Sequence, residues 1–218
     1  MDVTDYLELY RSNNPKAWQE TVALEELGTS LAAAMQGSEL VPPEAALDFI
    51  NRVEAWKAMG IAERVIGRGR NTAAQALTAV QGAITQHDPG AQIEALHTLV
   101  GFGRSQHRDY GTHPAKVATA ALRFLRPVDW GVVDWRSGAV ASTLRDGVSI
   151  AEAAHLLRRK GREYWVDALS HIDSQWAVAL NAKYRLIGQR FDVPRNADVD
   201  QFLFAITLEL WPLDRKHG

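Results

Sequence analysis

Apolar residues recur three and four positions apart along almost all of this 218-residue chain, and no stretch alternates long enough to make a half-buried strand. The segments at about 16–36, 43–60, 72–86, 90–101, 115–126, 137–145, 150–160, 163–187 and 197–211 are rich in Ala, Leu, Gln and Glu, which lose little freedom on entering a helix. This pattern predicts an all-α fold. Pro42-Pro43 precedes one helix, Asp88-Pro89-Gly90 separates two, and Arg126-Pro127 stops the helix that begins near Lys116, because the residue before a proline is pushed out of the helical region. Ser149 and Glu152 carry a capping-box signature, and Asn196 is placed to cap the last helix. With short turns, no internal repeat and no low-complexity linker, the expectation is a single domain over 1–218, its two helical lobes set around a cleft.

Composition removes several chemistries. At 46% hydrophobic and 23% charged the chain folds rather than remaining disordered. No apolar run approaches the roughly 20 residues that span a bilayer, and MDVTDYLELY is acidic rather than signal-like, so a cytoplasmic protein without a membrane partner is expected. The absence of cysteine excludes disulfides, thiolate catalysis and a cysteine-ligated cluster. Seven histidines form no HExxH pair and no compact carboxylate set accompanies them, so neither metal nor cofactor is expected. Ser105 and Ser137-Gly138 lack a nucleophile-elbow context. Gly67-Arg68-Gly69-Arg70 lacks the Lys-Ser/Thr ending of a phosphate loop and reads either as a DNA-facing loop or as a plain turn.

A net charge of −2 means that any nucleic-acid site must be a local basic patch. One such patch holds Arg104, Arg108, Lys116, Arg123 and Arg126, with Gln106, His107 and His113 as hydrogen-bonding partners and Asp109 as its one acid. Acids gather instead between Glu8 and Glu54. A second cluster, Arg158, Arg159, Lys160 and Arg162, reads as a solvated helix C-terminus, where cations suit the dipole.

The helix at 115–126 has Thr112 as a good N-cap and Pro114 in its first turn; Val117, Ala120, Ala121, Phe124 and Leu125 make its apolar face, with Arg123 directed away. Lys116 therefore lies in the first turn, where the positive helix end disfavours a cation. A lysine kept partly neutral in this way, helped by desolvation, is able to attack carbon. Asp134 follows 18 positions later, after Gly131-Val132-Val133 and just before another helix. It suits an N-cap, and it equally suits a carboxylate that takes the lysine's proton or stabilises a developing sugar cation.

The stretch from Gly111 to Ala141 resembles the core of the helix-hairpin-helix DNA glycosylase superfamily, through Lys116-Val117-Ala118 and the Val133-Asp134 pair at this spacing. A wider similarity is to short bacterial proteins of the 8-oxoguanine DNA glycosylase fold. It runs through Gly67-Arg68-Gly69-Arg70, Leu99-Val100-Gly101-Phe102-Gly103, Arg123-Phe124-Leu125-Arg126-Pro127, and Asp198-Val199-Asp200 before Phe202-Leu203-Phe204-Ala205, and covers roughly 60–210. The resemblance implies a compact helical glycosylase fold, acting as a monomer on double-stranded DNA that carries a damaged or modified base such as 8-oxoguanine, and nucleoid-associated if bacterial. Lys116 would attack the sugar anomeric carbon with help from Asp134, and lyase cleavage of the strand could follow. DNA contacts would come from Arg104, Arg108, Gly111, Thr112, His113 and Arg136, and the base pocket from Phe102, Trp130, Trp135 and Arg70, with Tyr110 as another nearby aromatic. The chain departs from the family at the hairpin, where Thr112-His113-Pro114-Ala115 stands in place of glycines and Pro114 has no N–H to offer a phosphate. The alternative is a non-catalytic helical DNA-binding or protein-interaction module on the same fold.

Overall fold

The computed structural model describes residues 1–37, 39–59, 65–102 and 114–213, and all their regular structure is helical: α1 (Val3–Asn13), α2 (Pro15–Gln36), α3 (Pro43–Lys57), α4 (Ala73–Thr85), α5 (Pro89–His97), α6 (Pro114–Leu125), α7 (Trp135–Thr143), α8 (Ile150–Lys160), α9 (Arg162–Ala168), α10 (Ser174–Phe191) and α11 (Asn196–Leu210). The all-α expectation holds for these residues. None of these helices is long and apolar enough to cross a membrane.

The local signals account for most boundaries. Ser149 and Glu152 close a reciprocal capping box at α8, Asp88 caps α5 through the Ala91 N–H, and α3 begins at Pro43. Several boundaries differ from the sequence reading; α3 ends at Lys57 rather than near 60 and α5 at His97 rather than near 101. Helix α1 is an additional element, held at its start by a capping box between Asp2 and Asp5 and separated from α2 by Asn14, which accepts from the Ala17 N–H. The single helix expected over 163–187 is two, because Asp173 starts α10 afresh by accepting from the Trp176 N–H at 2.8 Å. Leu169 and Ile172 are both buried across this break, so apolar spacing continues where the helical backbone does not. Asn196 is not the cap of α11: its side chain donates to the carbonyl of Asp129 at 2.8 Å, and Arg195 occupies the cap position without a side-chain bond.

Helices α6 and α11 occupy the centre. On α11, Val199, Phe202, Leu203, Ala205 and Ile206 are fully buried, and α1, α7 and α10 pack against it. Helix α6 buries Ala115, Ala118, Ala120, Ala121, Leu122, Phe124 and Leu125 against α2, α3 and α5, while α3, α4 and α5 pack in chain order. Helices with so little polar surface are stable only when covered on most sides, which is what this arrangement provides. The approach of α2 to α6 is close enough that a Cβ at Gly28 would stand 2.5 Å from the Phe124 carbonyl oxygen.

Candidate active site

Between α6 and α7 the chain passes through the interior as a short non-helical segment, Gly131 to Asp134. A buried irregular backbone requires partners for its N–H and C=O groups. Four different helices supply them here. The Gly131 N–H donates to Asn181 Oδ1 of α10 at 3.1 Å, the Val132 N–H is directed at the Asp200 carboxylate of α11, and the Val133 N–H donates to Thr119 Oγ1 of α6 at 3.1 Å. The Val132 carbonyl accepts from the Tyr184 hydroxyl at 3.1 Å and from Ser137 Oγ at 3.1 Å. Gly131 is required by space: a Cβ there would lie 2.6 Å from the Asn196 carbonyl oxygen and 2.8 Å from Asp200 Cβ. The segment thus delivers Asp134 to a position set by the whole core.

Asp134 is the N-cap of α7. Its Oδ1 accepts from the Arg136 N–H at 2.9 Å and the Ser137 N–H at 3.2 Å, while Oδ2 accepts from Lys57 Nζ of α3 at 3.0 Å. Burial would raise this carboxyl, but Lys57, then Lys116, and the hydrogen bonds from Lys57 and Ser137 together hold it below the usual carboxylate range. The capping and electrostatic readings of Asp134 therefore describe one side chain doing both.

Lys116 lies half-buried in the first turn of α6. Burial brings its amine down to about 8; Asp134 opposes that and Lys57, a like charge, adds to it. With that value roughly one amine in ten is neutral at pH 7, against roughly one in three thousand for an ordinary lysine. Thr119 Oγ1 also donates to the Lys116 carbonyl at 3.2 Å, so one hydroxyl joins the lysine's turn to the residue before Asp134. Beneath this group Asp200, 5% exposed, is pushed up to about 7 by burial and then by the Asp134 charge, with Lys57, Arg123 and the Val132 N–H opposing.

Other expected site residues fall elsewhere. Arg136 is a correction: it is 6% exposed, donates to the Thr207 and Trp211 carbonyls, and stacks its guanidinium on Trp135 and Phe204, so it serves the interior rather than a phosphate. Arg123 does not point away from the apolar face; it is buried, lies over the Phe124 ring, and pairs with Glu25 at 3.1 Å. Arg126 pairs with Asp129 at 3.0 Å. Phe102 and Trp130 are core side chains, the indole N–H of Trp130 donating to Gln92 Oε1 at 2.7 Å, so neither offers a face to a base. Trp135 is half-buried against Trp211 with the Arg162 guanidinium also over its ring, and Arg70 is exposed in the turn closed by the Arg70 N–H to the Gly67 carbonyl. Arg104, Arg108, Tyr110, Gly111, Thr112 and His113 lie outside the described residues.

Lys57, Thr119, Tyr184, Ser137 and Asp200 come into the site only through the structure. Asp200 had a faint signal as a carboxylate inside a strongly apolar helix; the others had none, since serine, threonine and a helix-end lysine are ordinary surface residues in a sequence. Among the described residues no group of three or more His, Asp and Glu side chains could hold a metal ion. A cavity of about 450 Å³ is lined by Val128, Asp129, Arg185, Asp192 and Asn196 among others, and neither Lys116 nor Asp134 borders it. Compared with protein-family models, curated proteins and solved structures, the chain matches none.

Proposed function

We propose that this chain is a DNA glycosylase that removes a damaged or modified base, with Lys116 as nucleophile and Asp134 as the supporting carboxylate. The observation that carries the reading is a half-buried helix-start lysine whose amine is lowered to about 8 beside an aspartate held ionised. Sequence resemblance to the helix-hairpin-helix glycosylases supplies the reaction. The neutral Lys116 amine attacks the sugar anomeric carbon as the bond to the base breaks, the electron pair leaves with the base, and the proton lost by the amine ends on the departing base. Opening of the sugar ring then moves a proton to the ring oxygen and leaves a Schiff base on Lys116. Ionised Asp134 stabilises the positive charge that develops on the sugar. Trp135, half-buried and adjacent to Asp134, is the aromatic on which an extruded base would stack, in place of the Arg162 guanidinium that lies over its ring.

With Arg123, Arg126 and Arg136 engaged internally, phosphate contacts fall in part to the exposed cations Arg158, Arg159, Lys160 and Arg162 around the α8–α9 turn, where Gly161 takes a positive φ of 82°. Arg162 reaches Trp135, which links this basic turn to the site. Incubation with a panel of lesion-containing duplexes in the presence of borohydride tests the reading, since a trapped adduct at Lys116 reports nucleophile and substrate together. No adduct with any duplex rejects it. A second reading, a non-catalytic DNA-binding or interaction module, is favoured by one observation: both Asp134 oxygens already have partners in Lys57 and the α7 backbone.

A further inference from the structure

The site contains a second lysine. Lys57 is the last residue of α3, and its Nζ meets Asp134 Oδ2 at 3.0 Å with both side chains largely enclosed, 19% and 14% exposed. The other oxygen, Oδ1, takes the Arg136 and Ser137 N–H groups. Both carboxylate oxygens are thereby engaged by groups other than Lys116. The two helix ends also divide the charge between the lysines. Lys57 sits at the C-terminus of α3, where the dipole favours a cation, and Lys116 in the first turn of α6, where it disfavours one.

We infer that Lys57 is a positioning residue of the candidate site: its ammonium holds Asp134 ionised and in place, and so leaves the Lys116 amine free to react. This role rests on the proposed glycosylase reading. The neighbouring groups are consistent with it. The groups that feel the Asp134 charge are Asp200 of α11, Tyr184 of α10 and Tyr10 of α1, with Lys57 of α3 and Arg123 of α6 also acting on Asp200 and Arg123 on Tyr10. Burial raises all three acids, and the Asp134 charge adds to the rise in each. They are therefore poor competitors for Lys57, which leaves Asp134 as its carboxylate partner. A cation beside a nucleophilic lysine lowers its proton affinity directly, and by occupying Oδ2 it also competes with Lys116 for the carboxylate whose charge raises the amine.

Competitive acylation of the full chain with acetic anhydride across pH 6–10, read by peptide mass spectrometry, tests the assignment without requiring catalysis. In the parent protein Lys116 should be labelled ahead of Lys57. Lys57→Gln should move the midpoint of Lys116 labelling up by about one pH unit, and Lys57→Arg, which keeps the cation, should restore the parent midpoint. An unmoved midpoint in folded Lys57→Gln overturns the inference. If that variant fails to fold by circular dichroism, the parent decides alone: labelling of Lys57 ahead of Lys116 overturns it. Borohydride trapping on the same preparations separates the two claims. No adduct from the parent, with the labelling shift intact, rejects the glycosylase reading and supports the charge assignment; an adduct with an unmoved midpoint does the reverse.

Discussion

The Thr119 hydroxyl accepts from the Val133 N–H at 3.1 Å while donating to the Lys116 carbonyl at 3.2 Å, so the first turn of α6 and the approach to α7 share one buried polar atom. Thr119→Val keeps the shape and leaves the Val133 N–H buried without a partner, a loss of about 1–3 kcal/mol. Thermal unfolding should show that loss. Thr119→Ser should recover most of it, and equal stability of all three proteins would mean that the bridge contributes nothing.

Lys116→Gln should abolish borohydride trapping without lowering the melting temperature at neutral pH, because burial and the helix start both disfavour this cation. In the parent, trapping should rise with pH through about 8 as the amine becomes neutral. The sign for stability follows from the same lowering: between about 8 and the unfolded value of 10.5 the folded state binds fewer protons, so this group makes the protein more stable as pH increases across that window. A trapped adduct that survives the substitution would assign the nucleophile elsewhere.

Asp134→Asn keeps an acceptor for the Arg136 and Ser137 N–H groups, since asparagine caps almost as well as aspartate. It leaves Lys57 without its counter-ion, and a loss of about 1–3 kcal/mol is expected for this largely enclosed donor. Base excision should fall by orders of magnitude. Single-turnover excision and thermal melting on one preparation measure both, and full activity with lowered stability would reduce Asp134 to a structural role.

Asp200 gives a stability signature of opposite sign to Asp134. Its folded value near 7 lies above the ordinary 3.8, so the folded state binds the extra proton and stability falls as pH rises between about 4 and 7, at no more than about 1.4 kcal/mol per pH unit. Asp134, held below the ordinary value, contributes stability that is present above about 4 and is lost as pH falls through its folded value. Asp200→Asn should flatten the decline from 4 to 7 in a series of denaturant melts. An unchanged slope would show that Asp200 is ionised throughout.

The α8–α9 turn predicts a salt effect. If Arg159 and Arg162 each contact one phosphate, replacing both by Ala should reduce the log–log salt slope of duplex binding by about two, and equally for damaged and undamaged DNA. Arg136→Ala should act differently, destabilising the fold while leaving the slope unchanged, because its guanidinium is enclosed by Trp135, Phe204 and the Thr207 and Trp211 carbonyls. Salt-titrated anisotropy distinguishes the two.

Helix content, most helix ends and the cap at Asp134 follow from short-range rules, and all are readable in the chain: the apolar spacing of three and four residues, Pro43, Pro89 and Pro127 as punctuation, and Ser149 with Glu152 as a box. The break between α9 and α10 escaped the same rules because Leu169 and Ile172 preserve the spacing across it. Placement of the charges depended on contacts between residues far apart in sequence. Lys57 and Asp134 are 77 positions apart, and Arg136 and Trp211 are 75 apart; no local pattern encodes either pair. Whether an arginine faces solvent or the interior is decided by which acceptors and rings the folded core brings to it, as Glu25 and Phe124 do for Arg123. The sequence could therefore mark Lys116 and Asp134 as candidates, whereas packing of α3 against α6 beside the α7 cap determined that Lys57 pairs with the aspartate and that burial lowers the Lys116 amine.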